Sequence, residues 1–155
     1  MISVVLATHN EAHNIDKCLN SVKNFADEII VVDGNSTDET RNLAKKFGAR
    51  VIKTTNKKNF HINKQLAMDK AQGQLVLQID ADEAVDEELA DFIKKTDQRV
   101  SKQKKFSHND TVAWWIKRRN LFMGRWLKKG GQYPDSVIGL YVNGKGGLLK
   151  KDINE

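Results

Sequence analysis

Gln74-Leu75-Val76-Leu77-Gln78-Ile79-Asp80-Ala81-Asp82-Glu83 is the stretch whose reading decides the fold. Leu75, Val76, Leu77 and Ile79 form a short apolar run that ends directly in a cluster of acids. Such a run suits a parallel strand covered on both faces. The C-terminal end of such a strand is where an open α/β sheet binds its ligands. Asp80 and Asp82, two residues apart at that end, offer hard oxygen ligands to a divalent cation and leave positions open for phosphate oxygens. The same acids also read as the N-cap and acidic first turn of a helix carrying Asp86, Glu87, Glu88 and Leu89. On this stretch alone the two readings stand level.

Composition sets the frame around it. The chain has 155 residues, 39% of them hydrophobic and 30% charged, which describes one soluble globular domain with a real core. No apolar run approaches the roughly 20 residues that span a bilayer. A strand entered at Ile2 leaves no room for a signal peptide. The lone Cys18 excludes an internal disulfide, fits a reducing cytoplasm, and falls on the apolar side of a helix, where burial outweighs reactivity. The net charge of +6 is unevenly spread: acids cluster over 80–97, while Lys102, Lys104, Lys105, Lys117, Arg118, Arg119, Arg125, Lys128 and Lys129 crowd the later part. That field favours an anionic membrane, nucleic acid or a phosphorylated ligand.

In chain order, residues 2–7 read as a buried strand ending in the polar turn Thr8-His9-Asn10-Glu11. Asn14 is placed to cap a helix with Ile15, Cys18, Leu19 and Val22 on its apolar face. A second strand over 28–32 ends in Asp33-Gly34-Asn35-Ser36-Thr37-Asp38, where Ser36, Thr37 or Asp38 can cap the helix of Leu43, Ala44 and Phe47. Gly48 ends that helix, a third strand covers 50–53, and a helix over 61–72 stops at Gly73. Strand–helix alternation predicts an α/β fold with a parallel sheet and right-handed crossovers. Residues 97–110 lack periodicity and read as an exposed loop or frayed helix end. Strands over 111–117 and 136–142 then form a smaller mixed or antiparallel extension at the sheet edge.

Three strand ends therefore carry polar clusters, and a parallel sheet places all three along one edge. An acid after the second strand can accept hydrogen bonds from a ribose or base, and helix starts can meet phosphates. Lys64 can reach a phosphate oxygen as a point charge. Helix capping explains each cluster singly; three on one edge argue for a site. A dinucleotide fold is excluded, since Leu6-Ala7-Thr8-His9-Asn10-Glu11 has no G-x-G-x-x-G turn, and no P-loop exists. His9 and His13 lack metal-hydrolase spacing and read as loop residues near the site.

Ser3-Val4-Val5-Leu6-Ala7-Thr8-His9-Asn10-Glu11, Ile30-Val31-Val32-Asp33-Gly34-Asn35-Ser36-Thr37-Asp38 and Asp80-Ala81-Asp82-Glu83 together resemble a family 2 glycosyltransferase of the GT-A fold. The later Trp115-Ile116-Lys117-Arg118-Arg119-Asn120 and Gly124–Asp135 segments resemble a bacterial subgroup that includes lipopolysaccharide core glucosyltransferases. The resemblance implies one GT-A domain, with residues 1–97 as the nucleotide-sugar half and 111–155 as part of the acceptor side. It implies inverting transfer from a nucleotide-sugar donor, a UDP-sugar favoured, to a glycan or glycolipid acceptor in envelope polysaccharide synthesis. Thr8, Asn10, Glu11 and Asp33 would hold the nucleoside, with Ser36, Lys64, Arg118 and Arg119 among the donor-binding residues. Asp80 and Asp82 would bind Mg2+ or Mn2+ on the diphosphate. Asp135 and Glu155 are the candidate bases.

Two departures from the resemblance stand out. Gly139-Leu140-Tyr141 replaces an Arg-Leu-Phe, and Asn154 precedes Glu155 where a His-Glu pair is usual. The chain also stops where such enzymes continue, so a truncated protein is expected. Trp126 among Arg125, Lys128 and Lys129 suggests contact with a glycolipid or the inner membrane surface. The competing readings are a catalytically idle nucleotide-sugar-binding module and, ranked last, a basic nucleic-acid-binding domain. A nucleotidyltransferase lacks its glycine- and lysine-rich N-terminal loop.

Overall fold

Apolar and β-branched runs build β1 (Ile2–Thr8), β2 (Glu28–Asp33), β3 (Arg50–Lys53) and β4 (Leu75–Gln78) in a computed structural model. Between and after them lie α1 (Ile15–Val22), α2 (Thr40–Lys46), α3 (His61–Asp69) and α4 (Glu87–Lys102). Then come β5 (Ala113–Arg118), the two-residue strands β6 (Leu121–Phe122) and β7 (Arg125–Trp126), and β8 (Asp135–Val142). The structure describes residues 1–56, 61–103, 105–122, 125–126 and 135–145. Glu155 and the 127–134 turn, with the features expected there, lie outside the described residues.

The main sheet runs β3-β2-β1-β4-β8-β5. Its first four strands are parallel, with Thr8 opposite Asp33 and Val4 opposite Leu77. β8 pairs antiparallel with both β4 and β5, so the later strands continue the same sheet from the β4 edge. β6 and β7 form a separate ribbon. This is the α/β, GT-A-like architecture with a mixed extension.

Alternation along β1 splits the core in two. Val4 and Leu6 face α1 and α4 with Ile15, Leu19, Leu77, Ile93 and Leu140, while Val5 packs on the α3 side with Ile30, Val76, Ala67 and Tyr141. Both faces are covered, and for that reason the strands read as continuous apolar runs. Cys18 is fully buried on the first face, as expected. Burial first, and then the charges of Glu83, Asp80 and Asp82, push its thiol up to about 12.

Some local expectations are corrected. α4 extends to Lys102, so the start of the segment read as a loop or frayed helix end is helix, because Ile93, Thr96 and Val100 recur at helical spacing on its buried face; Thr96 hid the period. Asn14 sits at the α1 N-cap, but its side chain donates to Glu11 Oε2 at 2.9 Å rather than capping. α3 ends at Asp69, ahead of Gly73. Gly73 is required instead by close approach: a Cβ there would lie 2.6 Å from Ser3 Oγ and 2.7 Å from the Met1 carbonyl. At Gly139 a Cβ would press on Ile116 at 3.1 Å and the Gln78 carbonyl at 3.2 Å, so a larger side chain crowds this junction of β4, β5 and β8.

Gly73→Ala should destabilise the protein by about 2–3 kcal/mol, because the β1 start must shift away from the new methyl. Gly48→Ala, with nothing within 4 Å and only a φ of +74° to strain, should cost about 1 kcal/mol. Urea denaturation of both variants checks the order.

Candidate functional site

The parallel register delivers the strand ends to one edge, where a cleft of about 260 Å³ opens. Thr8, His9 and Glu11 line it from the β1 end, Asn56 from the segment after β3, Asn63 and Lys64 from the α3 start, and Asp80, Ala81 and Asp82 from the turn after β4. Five expected site residues thus meet in one place: Thr8, Glu11, Lys64, Asp80 and Asp82.

Asp33 and Ser36 are buried and Asn10 is exposed, and none of the three is among the residues that line the cleft. Asp33 is fully buried, and its carboxylate accepts from the Ser36 N–H at 3.0 Å, the Ser36 hydroxyl, Arg41 Nη1 at 2.8 Å and Thr8 Oγ1 at 3.4 Å. Those bonds use the roughly four acceptor sites of a carboxylate. Burial alone would raise the Asp33 pKa; the Ser36 hydroxyl, the Arg41 guanidinium and the Ser36 N–H outweigh it and hold it below the usual carboxylate range. Asn10, at φ 56°, donates its N–H to Ser36 Oγ at 2.9 Å and accepts from the Thr37 N–H at 2.8 Å. The Glu11 N–H meets Thr40 Oγ1 at 2.8 Å, and the Ala12 N–H meets Asp38 at 3.0 Å. The loops after β1 and β2 are thereby locked together as one wall.

Helix capping does not account for Asp80 and Asp82. Asp86 is the N-cap of α4, its Oδ1 accepting from the Leu89 N–H at 2.9 Å. Asp80 instead points its Oδ1 at Lys64 Nζ, 2.5 Å away, and receives Gln78 Nε2 at 3.3 Å. Asp82 is exposed. Among the described residues no group of three or more His, Cys, Asp or Glu is placed to hold a metal ion. Two carboxylates are oxygen ligands of the kind Mg2+ or Mn2+ takes, and would supply only part of the shell of either ion. Lys64 meanwhile supplies positive charge to Asp80.

The arginines divide. Arg118 Nη1 donates to Glu83 Oε1 at 3.1 Å and its Nη2 to Asp135 Oδ2 at 2.7 Å; Asn120 Nδ2 reaches the same oxygen at 3.2 Å. Burial would lower the Arg118 pKa, but Glu83 and Asp135 outweigh it and raise it. Arg119 is 60% exposed and pairs with Asp86, at the start of α4. Neither arginine lines the cleft; Arg118 stands one carboxylate behind it.

Sequence reasoning missed Arg41, Asn56 and Asn63. Asn63 is buried, with its Nδ2 on the Thr55 carbonyl at 3.1 Å and, among the described residues, no partner for its Oδ1. A polar residue four before the buried Ala67 on one helix face was the available signal. Arg41 left no such signal, because its pairing with Asp33 depends on the loop between them.

The model of the family described as Glycosyl transferase family 2 matches residues 3–155. A Rickettsia bellii protein described as an uncharacterized glycosyltransferase is 42% identical over 93 residues, 60% of this chain and 31% of that protein. The chain thus matches just under a third of that relative's length. The crystal structure of S. aureus TarS superposes with a TM-score of 0.52 and 28% identity, covering 61% of this chain and 19% of that one. TarS 1–349 in complex with UDP-GlcNAc gives a TM-score of 0.61 at 22% identity over 83% of this chain and 37% of that one, a likeness of fold.

Arg41→Met should cost about 1–3 kcal/mol at neutral pH, since it strips the buried Asp33 charge of a partner that is itself partly solvated. The Asp33 pKa is lowered in the folded state, so its contribution is present above the unfolded value near ~4 and is lost as pH falls through the folded value. The gap between wild type and Arg41→Met in urea denaturation should therefore narrow in acid. A gap independent of pH would exclude the ion pair as its cause.

Proposed function

Given that the chain belongs to glycosyl transferase family 2, we propose that it is the donor-binding part of an inverting, metal-dependent enzyme that moves a sugar from a nucleotide-diphosphate sugar to a glycan or glycolipid acceptor. The reading places that reaction in bacterial envelope polysaccharide or lipopolysaccharide synthesis, on the cytoplasmic side. The observation that carries it is the cleft at the parallel strand ends, where Asp80, Asp82 and Lys64 face Thr8 and Glu11.

In this reading Thr8 and Glu11 contact the nucleoside, and the wall braced by Asn10, Asp33 and Ser36 keeps them in place. A divalent cation held by Asp80 and Asp82 would neutralise charge developing on the departing nucleotide diphosphate. Lys64 turns from Asp80 to a phosphate oxygen and adds a point charge there. The acceptor hydroxyl attacks the anomeric carbon as the bond to the diphosphate oxygen breaks. Its proton passes to a carboxylate, Asp135 or Glu155, and the configuration inverts. Of the two, Asp135 has a described position, tied by Arg118 to the Asp80 turn. Arg119 acts on neither group in this scheme.

A second reading, a nucleotide-sugar-binding module without turnover, draws on the chain matching under a third of its relative. Donor hydrolysis or transfer separates the two. Among the described residues no helix is long and apolar enough to cross a membrane. Peripheral contact with the inner membrane is proposed from the basic 117–129 segment. Binding to anionic liposomes should weaken in Trp126→Ala with Lys128→Ala, and unchanged binding counts against the contact.

The donor site is tested by thermal unfolding with UDP and GDP, each with and without Mn2+; UDP leads because TarS 1–349 was solved with UDP-GlcNAc. A nucleotide at a hundredfold its Kd stabilises by about 2.7 kcal/mol. The expected outcome is a shift with one nucleotide that needs Mn2+ and disappears in Asp82→Ala. No shift with either nucleotide overturns the reading.

A further inference from the structure

We propose that Glu83 is a positioning residue that holds the Asp80 carboxylate out of its own turn and in the cleft, an inference that rests on the donor-site reading above. Asp80-Ala81-Asp82-Glu83 has the spacing of a capping box. In that box, the first side chain takes the N–H of the fourth residue while the Glu takes the N–H of the first. Only half of it forms. Glu83 Oε2 accepts the Asp80 N–H at 2.9 Å, but the Glu83 N–H goes to the Asp80 carbonyl at 3.0 Å. The Asp80 side chain is therefore not spent on the turn and reaches Lys64 and Gln78 instead.

Two further contacts hold Glu83 in that role. Its Oε1 accepts from Arg118 Nη1 at 3.1 Å, and Arg118 is itself fixed by Asp135 at 2.7 Å. The chain of contacts runs from β5 and the start of β8 to the backbone of Asp80, so the side chain is gripped at both oxygens. Without it, the Asp80 N–H loses its acceptor. Asp is also a strong local turn former, competing for N–H groups two or three residues on. The Asp80 carboxylate then closes its own turn and leaves the cleft. Arg118 also offsets the third of three acids crowded into four residues, leaving Asp80 and Asp82 to whatever cation the cleft takes.

The test uses the full chain with Glu83→Asp and Glu83→Gln, both conservative. Asp keeps the charge but is one methylene too short to serve the Asp80 N–H and Arg118 together; Gln keeps the length but has one oxygen, which serves the Asp80 N–H only by turning the amide nitrogen on the Arg118 donor. Two quantities are measured: hydrogen exchange of the Asp80 amide by NMR, and UDP affinity with and without Mn2+ by calorimetry. Glu83→Asp should speed Asp80 exchange and weaken Mn2+-dependent UDP binding by about tenfold, the worth of one hydrogen bond to a charged group. Its metal-free UDP binding should be unchanged. Glu83→Gln should keep Asp80 exchange closer to wild type than Glu83→Asp does, because its single amide oxygen can still accept from the Asp80 N–H while the Arg118 contact is lost. Wild-type affinity in Glu83→Asp, unaltered Asp80 exchange, or an equal loss of metal-free binding overturns the proposal. A protected Asp80 amide in a wild-type chain with no metal-dependent UDP affinity overturns the donor reading instead.

Discussion

A carboxylate cannot be sealed inside a protein unless its charge is met, and the walls of the cleft are built on meeting the charge of Asp33. Its partners come from three places: Thr8 at the end of β1, Ser36 in the following loop, and Arg41 in α2. Thr8 and Asp33 already face each other in the β1–β2 register, and satisfying the buried ion ties together the loops that follow them. Asn10, in a left-handed conformation, and Asp38 complete the lock by answering backbone N–H groups on the opposite loop. The cleft wall is thus a network of polar contacts at the end of a sheet whose two faces are covered by apolar side chains.

The turn after β4 solves a related problem with opposite means. Asp80, Asp82 and Glu83 repel one another, and the thiol of Cys18, raised first by burial, is raised further by their charges. Lys64 and Arg118 come from opposite sides to balance these charges. One lies in the cleft and the other behind it. The turn is held between a cation that a ligand can displace and one that structure has already committed. That asymmetry separates Asp80, which faces the cleft, from Glu83, which does not.

Much of the fold was legible because each signal was local. Runs such as Ile29–Val32 and Leu75–Leu77 read as buried strands, and the helical spacing of Ile15, Cys18, Leu19 and Val22 read as a covered face. The helix boundaries failed where the cause lay elsewhere: Gly73 resembles a helix stop, yet its demand comes from the Met1 carbonyl and Ser3 Oγ, some seventy positions earlier.

Within the site, the sequence by itself determined which strand ends carry polar groups, and parallel topology then obliges those ends to share one edge. It could not assign their tasks. Thr8 and Asp33, both expected to face a nucleoside, part company because one lies on the cleft surface and the other beneath it. Asp86 rather than Asp80 caps α4, and Asp135 meets the Asp80 turn through Arg118 and Glu83, across the strand pairing of β5 with β8. Such roles depend on which acceptors are already occupied, and occupancy is a property of side chains brought together from distant positions. Residue type and spacing carry the chemistry available; only the packed structure decides which groups remain to use it.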